Sequence, residues 1–152
     1  LQEALVGQTH GEHQSDLIDR LLRLSETPVR AVMVPQQRVV AVAATADRNE
    51  LIRFAKQTAF SRCPVHGTRR LQIIGVIKVD ELLRGDDWRT VGERLNPVTT
   101  LRPQETVASA IAHMKQGGGE FGVVTDQAGQ MIGVVTLRDL LEEVVGEFGP
   151  DT

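Results

Sequence analysis

Aromatic side chains are scarce in this sequence: they make up 3% of its 152 residues, and tyrosine is absent. Proteins that bind single-stranded nucleic acids stack the bases on aromatic side chains inside a basic groove. The formal net charge is −3 and no run of basic residues occurs, so a phosphate backbone would find few cations to pair with. We therefore expect no nucleic-acid partner.

Cysteine and long apolar runs are also lacking. Cys63 is the only cysteine, which excludes an intramolecular disulfide and a metal site built from several cysteines, and favours a reducing, intracellular setting. No stretch approaches the roughly 20 consecutive apolar residues that a membrane-spanning helix needs. Since the chain begins at Leu1 rather than at a methionine, we expect it to be one piece of a longer protein whose other segments hold a membrane or catalytic part.

What the sequence does contain is an internal repeat. The stretch GVIKVDELL at residues 75–83 returns as GVVTLRDLL at residues 133–141. The two copies differ where polar chemistry would lie, with Lys78 and Glu81 in the first and Thr136 and Asp139 in the second. One scaffold with two different pockets indicates binding and sensing more than catalysis.

Both copies predict the same order of elements, strand–helix–strand–strand–helix. In the first copy, Asp47 and Glu50 form a capping-box pattern ahead of an amphipathic helix. Two apolar runs around a glycine-containing turn predict a hairpin in each copy, and Gly146 is expected to end the last helix. We expect the register of the two copies to hold without a gap from Val65, which then maps to Val123.

These elements predict an α/β (α+β) fold made of two β-α-β-β-α units. One such unit leaves a sheet face uncovered, so the two copies should pack on each other as a pseudo-twofold pair with two related clefts at the seam. The predicted division of the chain is a lead-in with a linker helix at 1–26, the first repeat at 27–85, an inter-repeat linker at 86–97 and the second repeat at 98–148.

Motifs in both repeats resemble a known family. Gly133, Thr136 and Asp139 match a Gly-x-x-Thr-x-x-Asp pattern, and FGVVTD at 121–126 precedes it at the expected spacing. Because the surrounding stretch is duplicated, the chain is similar to a tandem CBS-domain pair, or Bateman module. The stretches LSETPVRAVMVP at 24–35, SRCPV at 61–65 and DLLEEVVGE at 139–147 resemble the cyclin-M/CorC group of membrane proteins.

The resemblance implies a regulatory role. In that group the pair lies on the cytoplasmic side of the membrane, follows a transmembrane domain of the same protein, forms homodimers and binds adenine nucleotides. The resemblance thus implies ATP, ADP or AMP as the ligand, with magnesium arriving on its phosphates. It also implies that the missing part of the protein takes part in magnesium and cobalt efflux or resistance.

The candidate site lies where a strand ends and a helix begins, at Thr136. Unpaired backbone N–H groups and the helix dipole favour a phosphate there, and Asp139, one turn on, can accept hydrogen bonds from ribose hydroxyls. We expect an apolar slot formed by Val98, Thr100 and Ile132 to hold the adenine.

Arg138 adds a cation beside this site. It either strengthens anion binding or pairs with Glu142 along the helix. In the first copy, Lys78 cannot replace the threonine hydroxyl although Glu81 could still meet a ribose, so we expect one good site per chain.

Two other interpretations stay open. Thr136 can be no more than a helix N-cap, with Asp139 a first-turn carboxylate favoured by the dipole. The whole chain can equally be a structural dimerisation module whose cleft is empty. No nucleophile–base pair and no set of metal ligands is visible in the sequence, so we expect neither catalysis nor a metal site of its own.

Overall fold

The computed structural model describes residues 16–19, 21–23, 25–117 and 119–148. The predicted lead-in before residue 16, and Leu24 of the predicted linker helix, lie outside the described residues. Residues 16–19, 21–23 and 25–26 are helical. The strands that follow are β1 (Val34–Pro35), β2 (Val42–Ala43), β3 (Arg62–His66), β4 (Ile73–Lys78), β5 (Thr99–Leu101), β6 (Phe121–Thr125) and β7 (Met131–Thr136). The α-helices are α1 (Arg48–Gln57), α2 (Val79–Arg84), α3 (Val107–Gly117) and α4 (Leu137–Phe148).

The strands form two sheets with matching topology. One sheet has the order β2-β3-β4 and the other β1-β7-β6-β5. In each, the first strand of the repeat runs parallel to the next, and that strand pairs antiparallel with the third. The predicted α/β fold of two packed repeats is confirmed.

The register between the repeats differs from the predicted one. Val65 pairs with Gly75 in the first hairpin, and Val124 pairs with Gly133 in the second. The counterpart of Val65 is therefore Val124, and the prediction that it maps to Val123 is wrong. The turn between β3 and β4 is one residue longer than the turn between β6 and β7, which shifts β3 but not β4 against the second copy.

The segment before each repeat crosses to the other repeat. Strand β1 pairs with β7 of the second repeat, and Val29, fully buried, belongs to the second repeat's core and donates its N–H to the carbonyl of Glu105 at 2.7 Å. In return, Asn96 of the linker pairs with Val76 of β4. Residues 27–35, counted with the first repeat from the sequence, thus pack with the second.

A third apolar cluster lies at the seam between the two sheets. Its buried members come mostly from the second repeat and include Phe121 and Val134, with Val76 of the first repeat packed among them. The backbone closes the same seam, since the N–H of Met131 donates to the carbonyl of Leu71 at 2.7 Å. Burial of these side chains on both sides makes the two repeats one folding unit.

Trp88 of the linker covers the core of the first repeat. Its ring is buried, and its Nε1–H donates to the carbonyl of Leu82 at 2.9 Å. The guanidinium of Arg48 lies 4.9 Å from the ring centroid, a distance at which a cation is attracted to the aromatic face. The capping box of Asp47 and Glu50 that starts α1 is confirmed.

The last helix is longer than predicted. Helix α4 continues through Gly146 to Phe148, so the expectation that Gly146 ends it is wrong. A glycine inside a helix costs about 1 kcal/mol relative to alanine, and the packing of Leu140 and Val144 on the second core offsets that cost.

Candidate functional site

A cleft opens at the seam, between the start of α4 and the first repeat. Its cavity volume is about 100 Å³, and the empty space counted out to open solvent is about 550 Å³. Its apolar wall consists of Val34, Val39, Val40, Phe60, Pro64, Phe121, Val134 and Val135. Its polar lining consists of Arg38, Ser61, Arg62, Thr136 and Asp139.

Thr136 caps α4. The N–H of Asp139 donates to the Thr136 hydroxyl oxygen at 3.0 Å, and the N–H of Leu137 donates to the carbonyl of Glu120 at 2.9 Å. Thr136 is therefore a helix N-cap, as one of the two open interpretations proposed. This role does not exclude a ligand, because the hydroxyl still has its own proton to donate into the cleft, and the helix dipole makes this end favourable for an anion.

Asp139 supplies an acceptor beside that hydroxyl. It lines the same cleft as Thr136 and is exposed. Within residues 25–117 and 119–148, no hydrogen bond or ion pair engages its carboxylate. Both carboxylate oxygens are thus available to a ligand with paired hydroxyl groups.

The three residues predicted to form the apolar slot lie outside this cleft. Val98 packs against the seam cluster, Thr100 is exposed on β5, and Ile132 packs against the second core. None of the three is among the residues lining this cleft. The first repeat lines the cleft instead with residues 38–40, 60–62 and 64.

The signal for these missed residues was present in the sequence. The stretch SRCPV at 61–65 carried only the family resemblance, yet Ser61, Arg62 and Pro64 line the cleft. Phe60, immediately before it, is 56% exposed. Together with Val40, which is 39% exposed, Phe60 gives the cleft an exposed apolar surface.

A charged groove, here called the mouth groove, continues from the cleft along α4. Thr136 and Arg62 line both, and Glu120, Arg138 and Glu142 line the groove only. Arg138 Nε lies 3.4 Å from a carboxylate oxygen of Glu142. Of the two roles left open for Arg138, the structure shows the pairing with Glu142.

The corresponding position in the first repeat has different chemistry. Lys78 Nζ lies 3.7 Å from a carboxylate oxygen of Glu81, and both side chains are about half exposed. The carboxylate therefore already has a cation for a partner. Helix α2, which begins there, has six residues, so its dipole is weaker than that of α4.

Cys63 takes no part in the site. It is buried in β3, and burial raises the pKa of its thiol to about 12, so the nucleophilic thiolate is scarce at neutral pH. In the part of the chain that the structure describes, no group of three or more His, Cys, Asp or Glu side chains could hold a metal ion. None of the helices described there has the length and apolar character to cross a membrane.

Comparison with known proteins shows which family the sequence and the fold resemble. A family model for the CBS domain matches residues 91–146. A solved structure of the CBS domain of the bacterial CNNM/CorC family Mg²⁺ transporter in complex with ATP superposes with a TM-score of 0.78 and 29% identity, covering 88% of this chain and 98% of that one.

Curated relatives point to the same group. A UPF0053 protein of Mycobacterium tuberculosis is 25% identical over 142 residues, which are 89% of this chain and 33% of the relative. The magnesium and cobalt efflux protein CorC of Vibrio cholerae is 24% identical over 137 residues, 88% of this chain and 47% of the relative. The chain thus spans about a third to a half of the length of these relatives.

Proposed function

The chain belongs to the CBS-domain family, as a tandem pair like those of the CNNM/CorC group, and we propose that its cleft binds an adenine nucleotide as a regulatory ligand. The observation that carries the proposal is the placement of Thr136 and Asp139 on one wall of an apolar cleft at the seam. A hydroxyl donor at a helix start, an unengaged carboxylate and an apolar slot suit the phosphate, the ribose and the base of a nucleotide.

Each part of the nucleotide has a proposed position. The adenine lies against Val39, Val40 and Phe60, whose side chains are apolar and partly exposed. The ribose hydroxyls donate to Asp139. The first phosphate accepts from the Thr136 hydroxyl and lies at the positive end of α4.

One site per chain follows from the same geometry. In the second repeat the carboxylate of Asp139 faces a cleft, whereas in the first repeat Glu81 is paired with Lys78. A ribose at the first position would have to displace that ammonium group. We propose that the first repeat acts mainly as the wall that completes the cleft of the second.

The regulatory step is a change in how the repeats sit against each other. Nucleotide in the cleft contacts both repeats, so it stabilises the arrangement in which Phe60 and Thr136 face each other. It can shift the equilibrium only by its difference in affinity between the two arrangements. No step of this proposal requires the chain to catalyse a reaction.

The longer protein is part of the proposal. We infer a parent resembling the CorC relatives, with a membrane domain joined to this pair on the cytoplasmic side and with magnesium or cobalt as the transported ion. The helical residues Leu17, Ile18, Leu21 and Leu22 are between 45% and 56% exposed and form an apolar surface suited to contact with that domain or with a second copy in a homodimer.

Isothermal titration calorimetry tests the proposal. ATP, ADP and AMP are titrated into the chain with and without magnesium, with CTP as a control for the base. We expect one bound adenine nucleotide per chain, and loss of binding in Thr136→Ile and Asp139→Ala variants that keep the native circular dichroism spectrum. No heat with any adenine nucleotide would leave the structural dimerisation module as the better account, and light scattering would then show the dimer.

A further inference from the structure

The mouth groove contains two arginines, and each already has a carboxylate partner. Arg62 lies 2.5 Å from a carboxylate oxygen of Glu120, and Arg138 lies 3.4 Å from one of Glu142. The groove is therefore close to neutral although it begins at the anion-favouring end of α4. A second or third phosphate on a nucleotide would extend from Thr136 into this groove, because Thr136 lines both spaces.

Glu120 is fixed close to the start of α4 by the backbone. Its carbonyl accepts the N–H of Leu137 at 2.9 Å, so its side chain extends from a point beside the first turn of the helix. The side chain of Arg62 is 29% exposed and that of Glu120 is 63% exposed. The pair is thus less screened by solvent than the pair of Arg138 and Glu142, whose side chains are 86% and 64% exposed.

From these contacts, and resting on the proposed function, we infer that Glu120 is a specificity residue that limits how many phosphates the cleft accepts. The first phosphate needs only the Thr136 hydroxyl and the helix start. Each further phosphate competes with Glu120 for Arg62 and meets the negative charge of Glu120 at short range.

We predict that three substitutions, each removing one negative charge, differ in how much they strengthen the binding of long phosphate chains. Glu120→Gln releases Arg62 and removes the nearby charge, so its effect on long phosphate chains is largest. Glu142→Gln acts on a more exposed pair and has a smaller effect. Glu143→Gln removes the same charge from α4 at a position outside the cleft and the mouth groove, so it controls for net charge alone.

Calorimetry in buffer containing EDTA measures this directly. AMP, ADP and ATP are titrated into the unchanged chain and into the three variants at one fixed ionic strength. Glu120→Gln should raise ATP affinity about tenfold and AMP affinity less than about twofold, while Glu143→Gln changes neither.

A double-mutant cycle tests whether Glu120 acts on ATP affinity through Arg62. In an Arg62→Gln background the selective gain from Glu120→Gln should largely disappear, because the released guanidinium is then missing. An equal gain for AMP and ATP in Glu120→Gln, or the same gain in Glu143→Gln, would overturn the inference and leave the proposed function in place. Absence of binding by every adenine nucleotide in every variant would overturn both.

Discussion

The amide of Asp139 donates to the hydroxyl oxygen of Thr136 at 3.0 Å, so the atom that caps helix α4 is also the proposed contact of the first phosphate. The two roles are compatible because the hydroxyl accepts one bond and can donate another. The stability of α4 and the affinity for phosphate therefore depend on one side chain.

Removing that hydroxyl should affect both properties. Thr136→Val keeps the shape of the side chain but loses the cap, and we expect the free energy of unfolding to fall by about 1 kcal/mol. AMP affinity should fall about tenfold, since a hydrogen bond to a charged group is lost. Thr136→Ser should retain both, as measured by urea denaturation and calorimetry. An equal loss for AMP and for adenosine, which has no phosphate, would contradict the assignment of Thr136 to the phosphate.

Phe60 should matter for binding and little for stability. It is 56% exposed, so Phe60→Ala removes a wall of the cleft without opening a core cavity, and we expect adenosine affinity to fall by roughly tenfold. Ile74→Ala is the matched control, because Ile74 is 46% exposed and does not line the cleft. The same affinity loss in both variants would show that Phe60 does not contact the base.

Gly133 and Gly146 should respond oppositely to alanine. A Cβ at Gly133 would lie 2.7 Å from the carbonyl oxygen of Val34 and would also meet Met33, so Gly133→Ala should weaken the pairing of β1 with β7 and destabilise the chain by about 1–3 kcal/mol. Nothing lies within 4 Å of a Cβ at Gly146, and Gly146→Ala should stabilise α4 by roughly 0.5–1 kcal/mol. Thermal denaturation of both variants checks the pair, and a stable Gly133→Ala would contradict the tight β1–β7 contact.

Cys63 should make stability depend on alkaline pH. Burial raises the pKa of its thiol from 9.0 to about 12, so above pH 9 the unfolded chain loses this proton while the folded chain keeps it. The contribution is complete below pH 9 and is lost as the pH rises toward 12. Urea denaturation between pH 8 and 11 should show a steeper fall in the free energy of unfolding than a Cys63→Ala variant does. Identical slopes would contradict the burial of the thiol.

Local signals made much of the fold predictable from the sequence. The capping box of Asp47 and Glu50 and the hairpin that begins at Phe121 depend on residues close together in the chain, and both occur in the structure. The pairing of β1 with the second repeat was not predictable in this way. A two-residue strand has no pattern of its own, and its partner β7 lies far away in the sequence. The register of β3 was missed because it depends on the length of one turn.

In the candidate site, too, the predictable part is the one that depends on residues close together in the chain. Thr136 and Asp139 are three residues apart on one helix start, so their shared face follows from helix geometry, and the structure places both on the cleft. The opposite wall comes from residues 38–40, 60–62 and 64 of the other repeat. Its position depends on how the two sheets pack, which periodicity and spacing do not encode.

We propose above all that one adenine nucleotide binds per chain at the start of α4 and not at the corresponding position of the first repeat. Backbone amide NMR spectra recorded during titration with AMP test this most directly. We predict the largest saturable shifts at Phe60, Arg62, Thr136 and Asp139, smaller ones at Lys78, which pairs with Arg62 across the hairpin, and none at Glu81. Shifts centred on Lys78 and Glu81, or no saturable shift at Thr136, would contradict this proposal.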